Sequence, residues 1–452
     1  MSKHTLIVGA GRSAYGAARL LQAQGKAVRI SDVSAKYPLE IDAIKKSGID
    51  IVIGPQTPEL LNEADSLIVS PGLSPDIPLL EAARAKGLKI RSEIDIALAE
   101  FDGQVIGVTG TNGKSTTTSL IAHMLQFLGL SATASGNIGL PPSLLIAEGR
   151  APKTFVLELS SYQLDFSQAI VNRVGVFTSF SEDHMERHKT MENYFAAKWR
   201  LLEATESSGF CVVPAFVLRY AKKFKVKSLK ARVAQILVDD EPAVKGIAGP
   251  LIRLSTHTGE VRGDGIRGVR LLPPNLSFHN QLNILMAALS VQAIQSTHWD
   301  RCMESLETFA WLPFRFEEIG KFQKKPIYND SKSTNVESTL VALKSLQEKS
   351  ILMLGGYPKG EAFHAIAEYT DRIQTVIAFG QAGPRIAKDL ASLKPLVFST
   401  LREALQHLPS LLQEQPAPLV FSPACSSFDE FQNFEERGRF FNQQMISMLD
   451  PN

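Results

Sequence analysis

Short apolar runs that stop at a glycine, an acid or a polar loop recur along the chain, separated by stretches with apolar residues three and four apart. The first run, 5–8, leads through Gly9, Gly11 and Ala14 into a helical stretch that closes at Gly25, and a second run ends at Asp32. Strand-like runs follow at 49–53 and 66–70, the latter closed by Pro71 and Gly72. Residues 105–108 precede a glycine loop, and Leu120, Ile121, Met124, Leu125 and Leu128 then fall at helical spacing. Runs at 154–157 and 174–177 come next, and Phe195, Trp199 and Leu202 mark one face of a helix over 194–202. From 209 to 274 the runs are broken by Gly, Pro and Asp, which predicts small β-hairpins. A helix rich in Leu, Met and Ala opens at Phe278, and runs at 327–328, 351–354, 376–379 and 419–421 complete the pattern.

This alternation predicts an α/β protein with function at the strand ends. At 452 residues the chain is too long for one core, and the pattern divides it into three domains. Residues 1–93 read as a Rossmann-like domain, 94–312 as a central P-loop domain on a parallel sheet, and 313–452 as a second Rossmann-like, doubly wound domain.

The glycine loop adds the first candidate chemistry. Gly110, Thr111, Asn112, Gly113, Lys114, Ser115 and Thr116 lie between a strand and a helix, where backbone N–H groups and the helix N-terminus favour a phosphate. Lys114 would meet the terminal phosphates and Ser115 the accompanying magnesium. Val108 stands where the first glycine of G-x-x-x-x-G-K-[ST] belongs, and the bland alternative is a chance Gly-Lys-Ser turn. The turn from Gly9 to Ala14, with Asp32 at the end of the next strand, fits a dinucleotide or any sugar-linked diphosphate. Glu158 ends an apolar strand downstream of the loop, where such folds place a magnesium carboxylate. His184 follows another strand end and is a site candidate. Lys198 lies on the apolar stripe of its helix, and without further observations the reading is a stem on the surface with its charge in water.

Composition excludes more than it adds. The formal charge of +2 gives no field for nucleic acid or an anionic bilayer, and no stretch is long enough to span a membrane. Cys211, Cys302 and Cys425 have no metal-ligand spacing and read as packing residues of a cytosolic protein.

Taken together, the 110–116 loop, Gly136-Asn137-Ile138-Gly139, the block from Glu158 to Leu164, Asp183-His184-Met185 and Phe278-His279-Asn280 resemble the ATP-dependent Mur ligases of peptidoglycan assembly over nearly the whole chain. The blocks 328–335 and 422–429 resemble the branch that adds D-glutamate to UDP-N-acetylmuramoyl-L-alanine. The resemblance implies an amide ligase working through an acyl phosphate, with ATP, two magnesium ions and a carbamylated Lys198. Metal ligands would be Ser115, Glu158, His184 and Lys198, and Lys114 would join the last three as catalytic residues. Asn283, Arg315 and Asp330 match positions that contact ATP with the loop. Gly11, Arg12, Ser13, Asp32, Gly72, Asn137, Ser160 and Gln163 match the UDP-sugar site, and Lys332, Thr334, Lys359, Ser427 and Phe434 the D-glutamate site. The expected partners are these small molecules alone, with no nucleic acid and no membrane insertion, and the chain is expected to be a monomer.

Two departures stand out. Ser179 occupies the place of a usual asparagine, and Tyr357-Pro358 that of a usual Asp-Gly, which leaves the path of the Lys359 loop open. The base for the incoming amine is open between His184 and a nearby carboxylate. Three other readings compete: a Mur ligase for a different amino acid, a nicotinamide-dependent dehydrogenase, and a P-loop ATPase acting as a switch. The dehydrogenase leaves the P-loop and Lys332 without a role, and the switch leaves the N-terminal turn without one.

Overall fold

The computed structural model describes residues 3–34, 38–266, 268, 270–273, 276–295, 299–360, 362–446 and 449. Three sheets organise them. The first contains β1 (His4–Val8), β2 (Val28–Asp32), β3 (Asp50–Ile53), β4 (Ala64–Val69) and β5 (Lys89–Arg91), in the order β3-β2-β1-β4-β5. All pair in parallel, and helix α1 (Arg12–Ala23) follows β1. Leu6 and Val8 enter one apolar cluster while Ile7 enters another, as the two-residue period of a strand requires. A sheet covered on both faces is what a parallel, doubly wound layout needs.

The second sheet runs β14-β13-β12-β11-β10-β9-β6-β8-β7. Its strands are β6 (Gln104–Thr109), β7 (Ala132–Gly136), β8 (Thr154–Glu158), β9 (Asn172–Phe177), β10 (Thr205–Pro214), β11 (Arg232–Val238), β12 (Leu251–Leu254), β13 (Glu260–Gly263) and β14 (Arg270–Leu271). Helix α2 (Lys114–Phe127) leaves β6, α3 (Met191–Glu203) packs on β9 and β6, and α4 (Phe278–Ile294) lies along α2. The expected hairpins between 209 and 274 are only partly present. Strands β10, β11 and β12 extend the sheet in parallel, and only β12, β13 and β14 pair in antiparallel fashion. Cys211, Val212, Val213, Ala234 and Ile236 are wholly buried, so their short runs mark strands covered on both faces rather than half-solvated hairpins.

The third sheet runs β15-β16-β20-β17-β18-β19, from β15 (Glu317–Phe322), β16 (Lys325–Asn329), β17 (Ser350–Gly355), β18 (Ile373–Phe379), β19 (Leu396–Phe398) and β20 (Leu419–Ala424). Only the β15–β16 pair is antiparallel. Helix α5 (Phe434–Met445) packs against β16. The chain forms two compact units, Met1–Phe180 with Arg187–Phe309, and Ser181–Glu186 with Ala310–Asn452. No described helix is long and apolar enough to cross a membrane.

Candidate active site

In the first unit the loop after β6 is flanked by the ends of β8 and β9. Gly113 caps α2 at φ +82°, and a Cβ there would fall 2.6 Å from Asn283 Oδ1, so both conformation and space call for glycine. The Lys114 ammonium curls over the loop and donates to the carbonyls of Gly110 at 3.0 Å and Thr111 at 2.7 Å. Ser115 and Thr116 are buried in the first turn of α2, and Thr117 Oγ1 donates to Asn283 Oδ1 at 3.2 Å. The loop is clamped from β9. Asn112 N–H donates to Ser179 Oγ at 2.8 Å, Ser179 Oγ donates back to Asn112 O at 3.0 Å, and Thr178 Oγ1 donates to the same carbonyl. Ser179, one of the two departures, therefore holds the loop backbone directly.

Glu158 ends β8 and is 2% exposed. Its Oε1 accepts from Asn137 Nδ2 at 2.8 Å, while its Oε2 is buried with no hydrogen-bond partner. An unpartnered carboxylate oxygen beside a phosphate loop fits a hard cation, whereas leaving it dry would be costly. Among the described residues no group of three or more His, Cys, Asp and Glu could hold a metal. Lys198 corrects the surface-stem expectation. It is 1% exposed, donates to Gly110 O at 2.6 Å and sits 4.6 Å from the Tyr194 ring centroid. Helix α3 turns its apolar stripe onto the sheet, with Phe195 stacked between Phe177 and Trp199, and Lys198 goes in with it.

Arg12, Ser13, Asn137 and Gln163 line one cleft of about 340 Å³ together with Pro71, Gly136, Gly139 and Pro141. The other UDP-side candidates belong to turns and caps next to these lining residues. Gly11 caps α1 in an extended conformation, and Asp32 accepts from Ala10 N–H at 2.7 Å and Ser34 N–H at 3.0 Å, which fixes the turn. Ser160 and Gln163 form a reciprocal capping box, and Gly72 adjoins Pro71 in the turn after β4.

In the second unit the candidates gather at the ends of β16, β17 and β20. Asp330 accepts from Phe316 N–H at 3.0 Å, Ser422 Oγ at 2.7 Å and Ser333 Oγ. Burial pushes its pKa up to about 6, against those hydrogen bonds and the Arg315 charge. Arg315 Nη1 itself donates to Pro313 O at 3.0 Å. The Lys332 ammonium lies 4.2 Å from the Phe434 ring centroid, Ser427 is buried and Thr334 half-buried. Tyr357 N–H donates to Ser426 O at 2.9 Å, so the Tyr357-Pro358 departure leaves its loop anchored beside Ser427. Lys359 Nζ is 3.3 Å from Asp183 Oδ1, and Asn335 Nδ2 donates to Asp183 Oδ2 at 3.1 Å. His184, at φ +59°, lies within 4 Å of the carboxylates of Asp183 and Glu186.

Two family models match the chain, the Mur ligase middle domain over 108–291 and the MurD-like N-terminal domain over 3–92. The UDP-N-acetylmuramoylalanine-D-glutamate ligase of Solibacter usitatus is 32% identical over 454 residues, covering 99% of this chain and 98% of that protein. The chain belongs to the family of UDP-N-acetylmuramoylalanine-D-glutamate ligases. The ligase of that name from Lactococcus lactis is 30% identical, covering 97% of this chain and 96% of its own. Solved Mur ligases share the fold. UDP-N-acetylmuramate-alanine ligase MurC from Thermotoga maritima has a TM-score of 0.60 at 19% identity, over 98% of this chain and 99% of that one. MurF ligase from the same organism, in complex with ADP, has 0.61 at 16%, over 93% and 95%.

Several residues packed around these candidates carry little or no signal of their part in the sequence. Thr178 and Ser179 carry a faint signal as the polar pair just beyond β9, whereas Arg187, which donates to Leu73 O and packs on Tyr162, carries none. Glu93 is another. It is 4% exposed, adjoins Ser13, Pro71 and Gln163 in a small cavity, and accepts from Ser143 N–H at 2.9 Å. Burial pushes its pKa up to about 7, with the Ser143 hydrogen bonds acting the other way. The folded chain thus holds a proton that the unfolded chain releases near pH 4.5, so this group's stabilisation is whole below pH 4.5 and is lost as pH rises through 7. Glu93→Gln keeps the acceptor and cannot ionise. Its melting temperature relative to wild type should rise by roughly 5 °C between pH 5 and pH 8, from about 3 kcal/mol of linkage. A difference flat in pH would contradict the buried proton.

Proposed function

We propose that this chain is the ATP-dependent ligase that joins D-glutamate to UDP-N-acetylmuramoyl-L-alanine in peptidoglycan precursor synthesis. The observation that carries the reading is Glu158: its Oε1 is bonded by Asn137, which lines the cleft, while its unpartnered Oε2 lies on the strand beside the phosphate loop. A nucleotide loop and a diphosphate-sugar cleft joined through one carboxylate suit a reaction between the two ligands. A dehydrogenase or a switch ATPase has no use for that arrangement.

The chemistry follows from the poor electrophilicity of a carboxylate. The L-alanyl carboxylate attacks the γ-phosphorus of ATP, ADP leaves, and an acyl phosphate forms. The neutral amine of D-glutamate then attacks the acyl carbon, phosphate leaves, and the amine's extra proton goes to a base. The first step brings two anions together, so the site's main task is to neutralise charge. Lys114 brings an ammonium to the terminal phosphates, and the loop N–H groups hold them in line. Magnesium, when bound, supplies further positive charge against the phosphate oxygens, and Ser115 and Glu158 are the residues that would hold one ion. A carbamate on Lys198, whose amine adjoins Gly110 O in the same unit, would offer a further anion to such an ion. Arg12, Ser13, Asn137 and Gln163 fix the UDP-sugar and Asn283 the nucleotide in the first unit, Arg315 and Asp330 are the second unit's candidates for nucleotide contact, and Lys332, Thr334, Lys359, Ser427 and Phe434 fix the amino acid. Domain boundaries near 93 and 312, a monomeric state and a cytoplasmic location complete the proposal.

The test is phosphate release with UDP-N-acetylmuramoyl-L-alanine and a panel of amino acids, in which D-glutamate should stand out. A preference for L-lysine or diaminopimelate would overturn the substrate, and turnover without any amino acid would favour the switch. D-glutamate brings two carboxylates, and each charge-assisted hydrogen bond to them contributes on the order of 1.5–3 kcal/mol. Lys332→Ala and Ser427→Ala should therefore raise the D-glutamate KM by roughly ten- to a hundredfold, with the ATP KM changed much less. An unchanged D-glutamate KM in both would remove these residues from the site.

A further inference from the structure

Arg437 lies on α5, 1% exposed, and its guanidinium collects the carbonyl ends of three strands. It donates to Ser331 O at 2.8 Å and Ser331 Oγ at 3.1 Å just past β16, and to Cys425 O at 3.0 Å and Ser426 O at 3.1 Å just past β20. It also reaches Gly355 O, the last residue of β17, at 3.5 Å. Burial pulls its pKa down to about 10, so it stays a cation at neutral pH. A buried charge satisfied mainly by carbonyl dipoles is costly unless its geometry is held, and the planar fork of arginine spans acceptors that an ammonium cannot reach together.

These acceptors adjoin the residues assigned to the amino acid. Ser331 precedes Lys332, Gly355 and Gly356 open the loop to Lys359, and Ser426 precedes Ser427. Phe434 is three residues before Arg437 on the same helix face, its carbonyl accepts from Ser331 Oγ at 2.9 Å, and its ring carries the Lys332 ammonium. Gly356 closes the arrangement. At φ +129°, a Cβ there would sit 2.2 Å from Ser426 O and 2.9 Å from Arg437 Nη1.

We propose that Arg437 is a positioning residue for amino-acid binding, setting the mutual placement of Lys332, the Lys359 loop and Ser427 without touching the ligand. This rests on the reading of that region as the D-glutamate site. Displacing one recognition loop by about an ångström is enough to cost up to a hundredfold in a well-aligned site. The charge alone does not supply this, so a lysine should fail to replace the arginine.

The experiment measures KM for D-glutamate, ATP and UDP-N-acetylmuramoyl-L-alanine, with kcat and melting temperature, in Arg437→Lys, Gly356→Ala and Lys332→Ala. Arg437→Lys keeps the charge and loses the fork, while Gly356→Ala keeps the arginine and displaces the Ser426 carbonyl. Both should raise the D-glutamate KM about ten- to a hundredfold, with the other two KM values and kcat within about threefold. Equal rises in all three KM values, or failure of both variants to fold, would make Arg437 a fold residue only and overturn the proposal. An unchanged D-glutamate KM in both, beside a raised one in Lys332→Ala, would also overturn it while leaving the site assignment standing. If Lys332→Ala too is unchanged, the site assignment itself fails.

Discussion

Lys114→Ala is expected to abolish phosphate release, with kcat down by roughly a thousandfold or more, while UDP-sugar binding survives. The ammonium belongs to the loop after β6, where it donates to the carbonyls of Gly110 and Thr111, and it is absent from the lining of the cleft. Its removal strips a full charge from the step in which a carboxylate meets a triphosphate, and one lost electrostatic contact at such a centre commonly costs 10²–10³ in rate. The loop itself should hold, because Ser179, Thr178 and Asn283 clamp its backbone and helix without the lysine. Calorimetric titration with UDP-N-acetylmuramoyl-L-alanine gives the control. Retention of more than a tenth of wild-type kcat would sink the phosphate-loop assignment.

Lys198→Ala should be nearly as damaging, and its rescue is diagnostic. The side chain is buried and donates to Gly110 O beside Lys114, so the variant loses a packed stem and one of the two ammonium donors to that carbonyl. Two roles remain: an ammonium that braces the loop, and a carbamate that offers an anion to a cation. They differ in the sign of the charge. A small carboxylate such as acetate should restore part of the rate if the working form is the carbamate, whereas methylammonium should do so if it is the amine. Rescue by methylammonium alone would remove the carbamate from the mechanism.

How much of this was legible in the sequence depended on how local the chemistry is. The phosphate loop, the turn at Gly9 to Ala14 and the acids Asp32 and Glu158 declare themselves within a single strand-loop-helix unit. The structure places them at strand ends as the pattern requires. The strands between 205 and 238 were misjudged because a short apolar run reads alike in a hairpin and in a covered parallel strand; only pairing with β9 decides it. Lys198 was misjudged for a related reason, since spacing puts it on an apolar face but does not say how deep that face goes. Arg437 and Glu93 were out of reach altogether. Arg437 bonds Ser331, distant by 106 positions, and Glu93 bonds Ser143, 50 positions on, and no window of sequence contains either pair.

The cation at Arg437 also bears on how the chain matures. Every carbonyl it collects precedes it in sequence, so during synthesis those groups leave the ribosome before the side chain that will hold them. Until α5 emerges, the carbonyls at the ends of β16, β17 and β20 do not yet have the guanidinium that gathers them in the folded chain. The nucleotide loop is under no such delay, since its clamps Thr178, Ser179 and Asn283 have all been translated by then. A nascent chain should thus fix its glycine loop before it can hold an amino acid.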